Sequence, residues 1–273
     1  MLNKITFIGA GELAESLLKG FLNKNLIRAD RVWINNHSSI DRLNYLERVY
    51  HVHVTQDKPA ALEQAEVVIL AFRPGDTKEA LISMKDFLQT DQLVLSLMVG
   101  VPSAYIVSVA GKNLPIVRVM PNTSASIGLS ATGMAAGEFV SREQMDLAVK
   151  LFETVGTATV VRESDIDVIA GLSGSGPAYL YYLAEAMKEA GIREGISAEA
   201  SAQLVLQTLN GAVALLNRSG KTAGDLLKAV ATPGGTTQAG IDTLNRYQTR
   251  EAIIECVHQA IARAGEMSRP FSK

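Results

Sequence analysis

Chemistry is most legible in this chain at Ala229–Leu244, where Pro233-Gly234-Gly235-Thr236-Thr237 interrupts two helical patterns. Leu226, Leu227 and Val230 recur at helical spacing before the break, and Ile241 and Leu244 after it. Proline has no N–H to give a helix, the glycines free the backbone, and Thr236 or Thr237 stands where an N-cap hydroxyl belongs. A helix N-terminus approached by a loop without side chains suits an anion, a carboxylate above all. The same residues also read as an ordinary glycine-rich turn with a threonine cap.

A second stretch narrows the chemistry. Ile5-Thr6-Phe7-Ile8 runs into Gly9-Ala10-Gly11-Glu12-Leu13-Ala14, a G-x-G-x-x-A pattern directly after a strand and opening a helix. In that context the first glycine makes the turn, the second lets a pyrophosphate approach the backbone, and Ala14 permits close helix–strand packing. The expectation is a dinucleotide site. At the end of the next strand, Asn35-Asn36-His37-Ser38-Ser39 holds no acid before Asp41. Neutral groups there tolerate a 2′-phosphate that a carboxylate would repel, which favours NADP(H) over NAD(H). Three later strand ends are irregular and form candidate walls of the cofactor crevice: Ala71-Phe72-Arg73-Pro74, Leu97-Met98-Val99, and Pro121-Asn122-Thr123. Arg73 is either a phosphate or adenine contact or a plain exposed arginine. Asn122 either holds the nicotinamide amide or serves a turn.

Other chemistries find no residues to carry them. The histidines at 37, 51, 53 and 258 form no metal-ligand spacing, and one cysteine, Cys256, builds no metal site. His51 and His53 sit two apart, on one side of an expected edge strand. No G-x-S-x-G elbow and no conventional acid–base pair is present. Hydride transfer to an electrophilic C=N bond asks for little more than orientation and a hydrogen bond to nitrogen.

The elements that must position these residues follow from periodicity. Short apolar runs at Val32–Ile34, Val52–Val54, Val67–Ala71, Leu93–Leu97 and Ile116–Met120 alternate with helical segments at Ile40–Val49, Asp76–Leu88 and Pro102–Ala110. Thr132–Ala136 and Thr157–Val161 flank a helix at Glu143–Glu153 and extend the same sheet. The fold class is α/β, an N-terminal Rossmann-type doubly wound sheet over residues 1–162. From 163 to 273 the pattern is helical: Asp165–Leu172, Ala178–Ala190, Ala198–Asn217, Thr222–Val230 and Arg250–Met267. These helices carry so little charge that they must bury more than one face, which points to a homodimer of interlocked helices.

The 273 residues carry 47% hydrophobic content and a net charge of −2, which gives no reason to expect nucleic acid or an anionic membrane as partner. The single cysteine fits a reducing compartment, and the start MLNKITFIGAG lacks a signal-peptide pattern; the expectation is a cytoplasmic protein.

Gly9-Ala10-Gly11, Gly171-Leu172-Ser173-Gly174-Ser175-Gly176-Pro177-Ala178-Tyr179 and Thr232-Pro233-Gly234-Gly235-Thr236-Thr237 resemble the pyrroline-5-carboxylate reductase family in order and spacing across the chain. The resemblance implies reduction of 1-pyrroline-5-carboxylate to L-proline with NADPH, NADH being an alternative donor. It implies a helical dimerisation domain and often a decamer of five dimers. It places the cofactor against Ile8, Gly9, Ala10, Gly11, Glu12, Leu13, Asn36, Ala71 to Pro74, and Leu97 to Val99. Thr237 matches the threonine whose hydroxyl bonds the ring nitrogen, Gly235 and Thr236 the backbone donors to the carboxylate, and Glu163 and Ser175 residues on the substrate side. Ala229 stands where the family often has a polar residue, Lys58 where some members place an asparagine, and Leu97-Met98-Val99 is bulkier than usual. A six-membered cyclic imine as substrate, a binding paralogue without turnover, and a hydroxyacid dehydrogenase are the competing expectations.

Overall fold

The computed structural model describes residues 2–271. The first half runs β1 (Ile5–Ile8), α1 (Glu12–Asn23), β2 (Val32–Asn35), α2 (Ile40–Tyr50), β3 (His53–Thr55), α3 (Lys58–Leu62), β4 (Val67–Leu70), α4 (Thr77–Met84), β5 (Leu93–Ser96), α5 (Ser103–Ala110), β6 (Ile116–Met120), β7 (Ser130–Ala136), α6 (Arg142–Glu153) and β8 (Gly156–Val160). All eight strands form one sheet in the order β3-β2-β1-β4-β5-β6-β7-β8. Strands β1 to β6 pair in parallel; β7 runs antiparallel to β6, and β8 parallel to β7.

Helices on both faces explain why β1, β4 and β5 read as mainly apolar runs without alternation: every residue in them is buried, Thr6 and Ser96 included. Helix α1 turns Ala14, Leu17, Leu18 and Phe21 to one face, where Phe21 meets Phe152 of α6 edge-on at 6.1 Å. Leu81 and Met84 of α4 pack with Ile106 of α5 on the other. The expected doubly wound architecture holds. The strand at 52–54 does not include the first histidine: His51 ends α2 in the left-handed region, while His53 stacks on Trp33 at 4.9 Å. The two rings therefore do not share a strand face.

The remaining elements are α7 (Ile166–Ile169), a π turn at Ala170–Gly174, α8 (Gly176–Arg193), α9 (Ala198–Ser219), α10 (Ala223–Val230), α11 (Thr236–Arg246) and α12 (Thr249–Ser268). By packing, the chain forms two compact units, Met1–Ser175 with Gln259–Lys273, and Gly176–His258. Segments that the sequence pattern groups with the helical half thus belong to the sheet unit: Ile166, Ala170 and Ala264 join Met120 and Ala135 in one buried cluster. In the second unit, Ser201 of α9 donates to the Lys188 carbonyl of α8 at 2.8 Å. Tyr181, Tyr182 and Leu206 stay largely exposed there, at 66%, 82% and 65%.

Candidate active site

In an open parallel sheet, ligands bind beyond the carboxyl ends of the strands where the winding direction reverses. Here that point lies between β1 and β4. Gly9 has φ +111°, donates to the Asn35 carbonyl at 2.8 Å, and would overlap the Ala71 carbonyl oxygen if it carried a Cβ. Gly11, two residues on, is exposed, caps α1 without any side-chain hydrogen bond, and has open space where a Cβ would point. A cradle of this kind fits a dinucleotide pyrophosphate: bare backbone, free N–H groups and the positive end of a helix.

Glu12 and Glu15 both fall in that first turn. Glu15 is neutralised locally. Arg42 of α2 pairs with it, Tyr50 donates to it at 2.7 Å, and Tyr45 at 3.3 Å. Burial alone would raise the Glu15 carboxyl, but the Tyr50 and Arg42 hydrogen bonds outweigh it and hold the group below its ordinary value. Desolvation and the Glu15 partner push the Tyr50 phenol up to about 12. Arg42 also donates from Nε to the Ala10 carbonyl at 2.8 Å, fixing the glycine loop itself. Sequence reasoning missed Arg42. The available signal was a cation in the first turn of a helix, where the dipole disfavours it and an outside partner must compensate.

The turn after β2 is built from its own polar groups. Asn36 Oδ1 accepts from the N–H and the hydroxyl of Ser38, and Ser39 caps α2 by accepting from Arg42 N–H at 3.2 Å. His37 and Ser38 are exposed, and Arg73 is exposed as the cap of a 3-10 turn at Pro74–Asp76. Lys58 donates to Ser83 Oγ at 2.5 Å. After β5, Leu97 and Met98 are buried side chains, one in each face's core, with Met98 Sδ accepting from Thr77 Oγ1 at 3.3 Å. Their bulk therefore fills the core, and Val99 alone of the three is half-exposed.

Asn122 turns out to be engaged at both ends. Its Oδ1 accepts from Ser124 N–H and its Nδ2 donates to the Ser173 carbonyl, each at 3.0 Å. That is the turn role, extended to a bridge onto the Gly171–Gly174 segment, and it uses one of the two Nδ2 hydrogens and one Oδ1 lone pair. The segment is a π turn closed by Ser175 N–H to Ala170 O at 2.9 Å, and a Cβ on Gly171 would lie 2.8 Å from Ile261 N. Glu163 receives both donors of Ser103 and lies 3.6 Å from Arg118.

In the second unit, Gly234 takes φ +75° and Gly235 N–H closes the turn on the Thr232 carbonyl at 2.9 Å. The cap of α11 is Gly235, not a threonine: Thr236 and Thr237 are the first and second helical residues, and no side chain caps the helix. Hydroxyls placed inside the first turn cannot accept the N–H groups that an N-cap would. Helices α6, α9 and α10 are capped by Ser141, Ser197 and Thr222, so α11 alone of these four leaves its N-terminus to an outside acceptor. A cleft of about 590 Å³ at the opposite, amino-terminal edge of the sheet, lined by Lys4, Asp30, Trp33 and Glu63, holds none of the expected residues.

Comparison with known proteins agrees with this geometry. Residues 163–267 match the family model described as pyrroline-5-carboxylate reductase dimerisation, and residues 4–100 match one described as NADP oxidoreductase, coenzyme F420-dependent. Pyrroline-5-carboxylate reductase 2 of Bacillus subtilis is 38% identical, over 99% of this chain and 97% of that protein. The chain belongs to the pyrroline-5-carboxylate reductase family. The Arabidopsis thaliana member is 32% identical over 97% of this chain and 96% of its own. A solved pyrroline-5-carboxylate reductase from Coxiella burnetii superposes with TM-score 0.89 at 37% identity, covering 98% of this chain and 99% of that one. The Plasmodium falciparum pyrroline carboxylate reductase, solved with NADP bound, shares the fold at TM-score 0.89 and 24% identity, covering 97% and 98%.

Proposed function

We propose that this chain reduces 1-pyrroline-5-carboxylate to L-proline with NADPH, the last step of proline synthesis. The observation that carries the proposal is the uncapped α11 N-terminus behind the Pro233-Gly234-Gly235 turn, in a chain whose relatives match it end to end. Backbone N–H groups of Gly235 and Thr236 receive the substrate carboxylate. Thr237, half-buried at the second position of α11, donates its hydroxyl to the ring nitrogen and fixes the orientation of the C=N bond. Ser175, at the close of the π turn, is a further proposed contact to substrate.

NADPH supplies the hydride that adds to the imine carbon. The glycine loop at Gly9-Ala10-Gly11 takes its pyrophosphate, and the Asn36–Ser39 turn, with no carboxylate, accepts the 2′-phosphate. The ring nitrogen gains a proton that comes from solvent, so the C=N bond becomes CH–NH and NADPH leaves as NADP+, with charge and atoms balanced. A homodimer through the exposed apolar faces of α8 and α9 is proposed as the working unit, with a decamer as the larger assembly and the cytoplasm as the compartment; Cys256 is free. Among the described residues no helix is long and apolar enough to cross a membrane.

Oxidation of NADPH followed by its absorbance, with purified protein and pyrroline-5-carboxylate, tests the reading. Thr237→Ala is expected to lower turnover about tenfold or more, a loss of ~1.4 kcal/mol or larger in transition-state stabilisation, with Thr237→Ser restoring most of it. NADPH is expected to outperform NADH. Tight NADPH binding without turnover of this imine or its six-membered homologue would sink the enzyme reading.

A further inference from the structure

Glu163 stands in a 3-10 turn at Glu163–Asp165, and one residue supplies it with two donors. Ser103 N–H reaches Oε1 and Ser103 Oγ–H reaches Oε2, each at 2.7 Å. Ser103 opens α5, whose cap, Pro102, contributes no side-chain hydrogen bond. A carboxylate sixty positions away in the chain therefore does the capping. Behind it lies Arg118 of β6, 5% exposed, 3.6 Å from Glu163 Oε1 and 3.4 Å from Asp167 Oδ1. Asp167 in turn accepts from Ser268 Oγ at 2.9 Å, at the end of α12. Arg118 Nε and the Oγ of its register neighbour Ser96 are buried with no hydrogen-bond partner among the described residues. A guanidinium this deep and incompletely satisfied is a poor stabiliser.

What the cluster surrounds is the six-residue segment between β5 and α5. Ser96 precedes it and Ser103 follows it. At its middle, Gly100 has φ +75°, and a Cβ there would lie 2.9 Å from Met267 C and Ser268 N, so the end of α12 is packed against it. Ser268 is tied to Asp167, and Asp167 and Glu163 share Arg118. The segment carries Leu97, Met98 and Val99, whose first two side chains face the core and leave backbone to meet a ligand.

We propose that Glu163, held by Arg118, is a positioning residue for the cofactor: through Ser103 it sets the main chain of Leu97–Val99 instead of touching the substrate. The proposal rests on the reading above that this segment faces the nicotinamide end of NADPH. Weakening the Glu163–Ser103 pair lets the start of α5 shift, and the cofactor loses its fit while the substrate turn at Gly235–Thr237 is untouched.

The test measures NADPH affinity by nucleotide fluorescence in the absence of substrate, then KM for pyrroline-5-carboxylate at saturating NADPH. Glu163→Gln and Ser103→Ala are each expected to weaken NADPH binding about fivefold or more, with the double variant no weaker than the worse single one. KM for the imine stays within about twofold. A Glu163→Gln protein with a KM raised about tenfold and unchanged NADPH affinity, beside a normal Ser103→Ala protein, would overturn the proposal and return Glu163 to the substrate. Should Glu163→Gln fail to fold, Ser103→Ala decides alone: it removes one hydroxyl, and unchanged NADPH affinity there also overturns it. Wild-type protein that binds NADPH without turning over the imine sinks the reductase reading only, since the binding arm reads the positioning effect independently.

Discussion

Asn122 Nδ2 donates to the main-chain oxygen of Ser173 across 3.0 Å while its Oδ1 accepts from Ser124 N–H. One buried amide thus fixes the turn after β6 and the π turn that carries Ser173-Gly174-Ser175. Asn122→Ala is expected to cost about 1–3 kcal/mol, because it leaves a carbonyl and an N–H without partners. Asn122→Asp should cost more, since it sets a carboxylate against the Ser173 carbonyl. Urea unfolding midpoints check both. Unchanged stability with weakened NADPH binding would return Asn122 to the nicotinamide.

The two glycines of the cofactor loop should separate folding from binding. Gly9→Ala meets the Ala71 carbonyl and a φ of +111°, so it is expected to destabilise the sheet unit by at least about 1–3 kcal/mol. Gly11→Ala meets open space at φ −70°, so its stability should stay within about 0.5 kcal/mol of wild type. Its NADPH affinity should nevertheless fall, because the methyl occupies the approach of the pyrophosphate. Thermal melts with and without NADPH distinguish the two cases.

The Glu15 cluster makes stability depend on pH at both extremes. Glu15 is lowered in the folded protein, so its contribution is present above the unfolded value of about 4.3 and is lost as pH falls through the folded one. Tyr50 is raised to about 12, so its contribution is present below about pH 10 and is lost as pH climbs from there toward 12. Tyr50→Phe is expected to lose stability at neutral pH and to show a shallower alkaline decline than wild type. Denaturant midpoints at neutral pH and between about pH 10 and 11.5 check it. Equal alkaline slopes would show that the phenol does not titrate against Glu15.

Much of this molecule is written in short-range pattern. The strand–helix alternation, the Gly9-Ala10-Gly11 turn and the helix break at Pro233-Gly234-Gly235 depend on side-chain periodicity and on backbone freedom within a few residues, and such constraints are local to the sequence. Tertiary structure decided the rest. Asn122 and Glu163 direct their side chains to groups 51 and 60 positions distant, which no spacing rule reports. Leu97 and Met98, just past the end of β5, carry on its alternation and turn to opposite cores because both faces of this sheet are covered. Strand β7 reverses against β6, and residues 163–175 pack with the sheet although they read as helical, because burial follows the partner surface available and not the local period. Arg42 is the plainest case: its identity is visible in the sequence, but its reach to the Ala10 carbonyl exists only once β1 and β2 lie side by side.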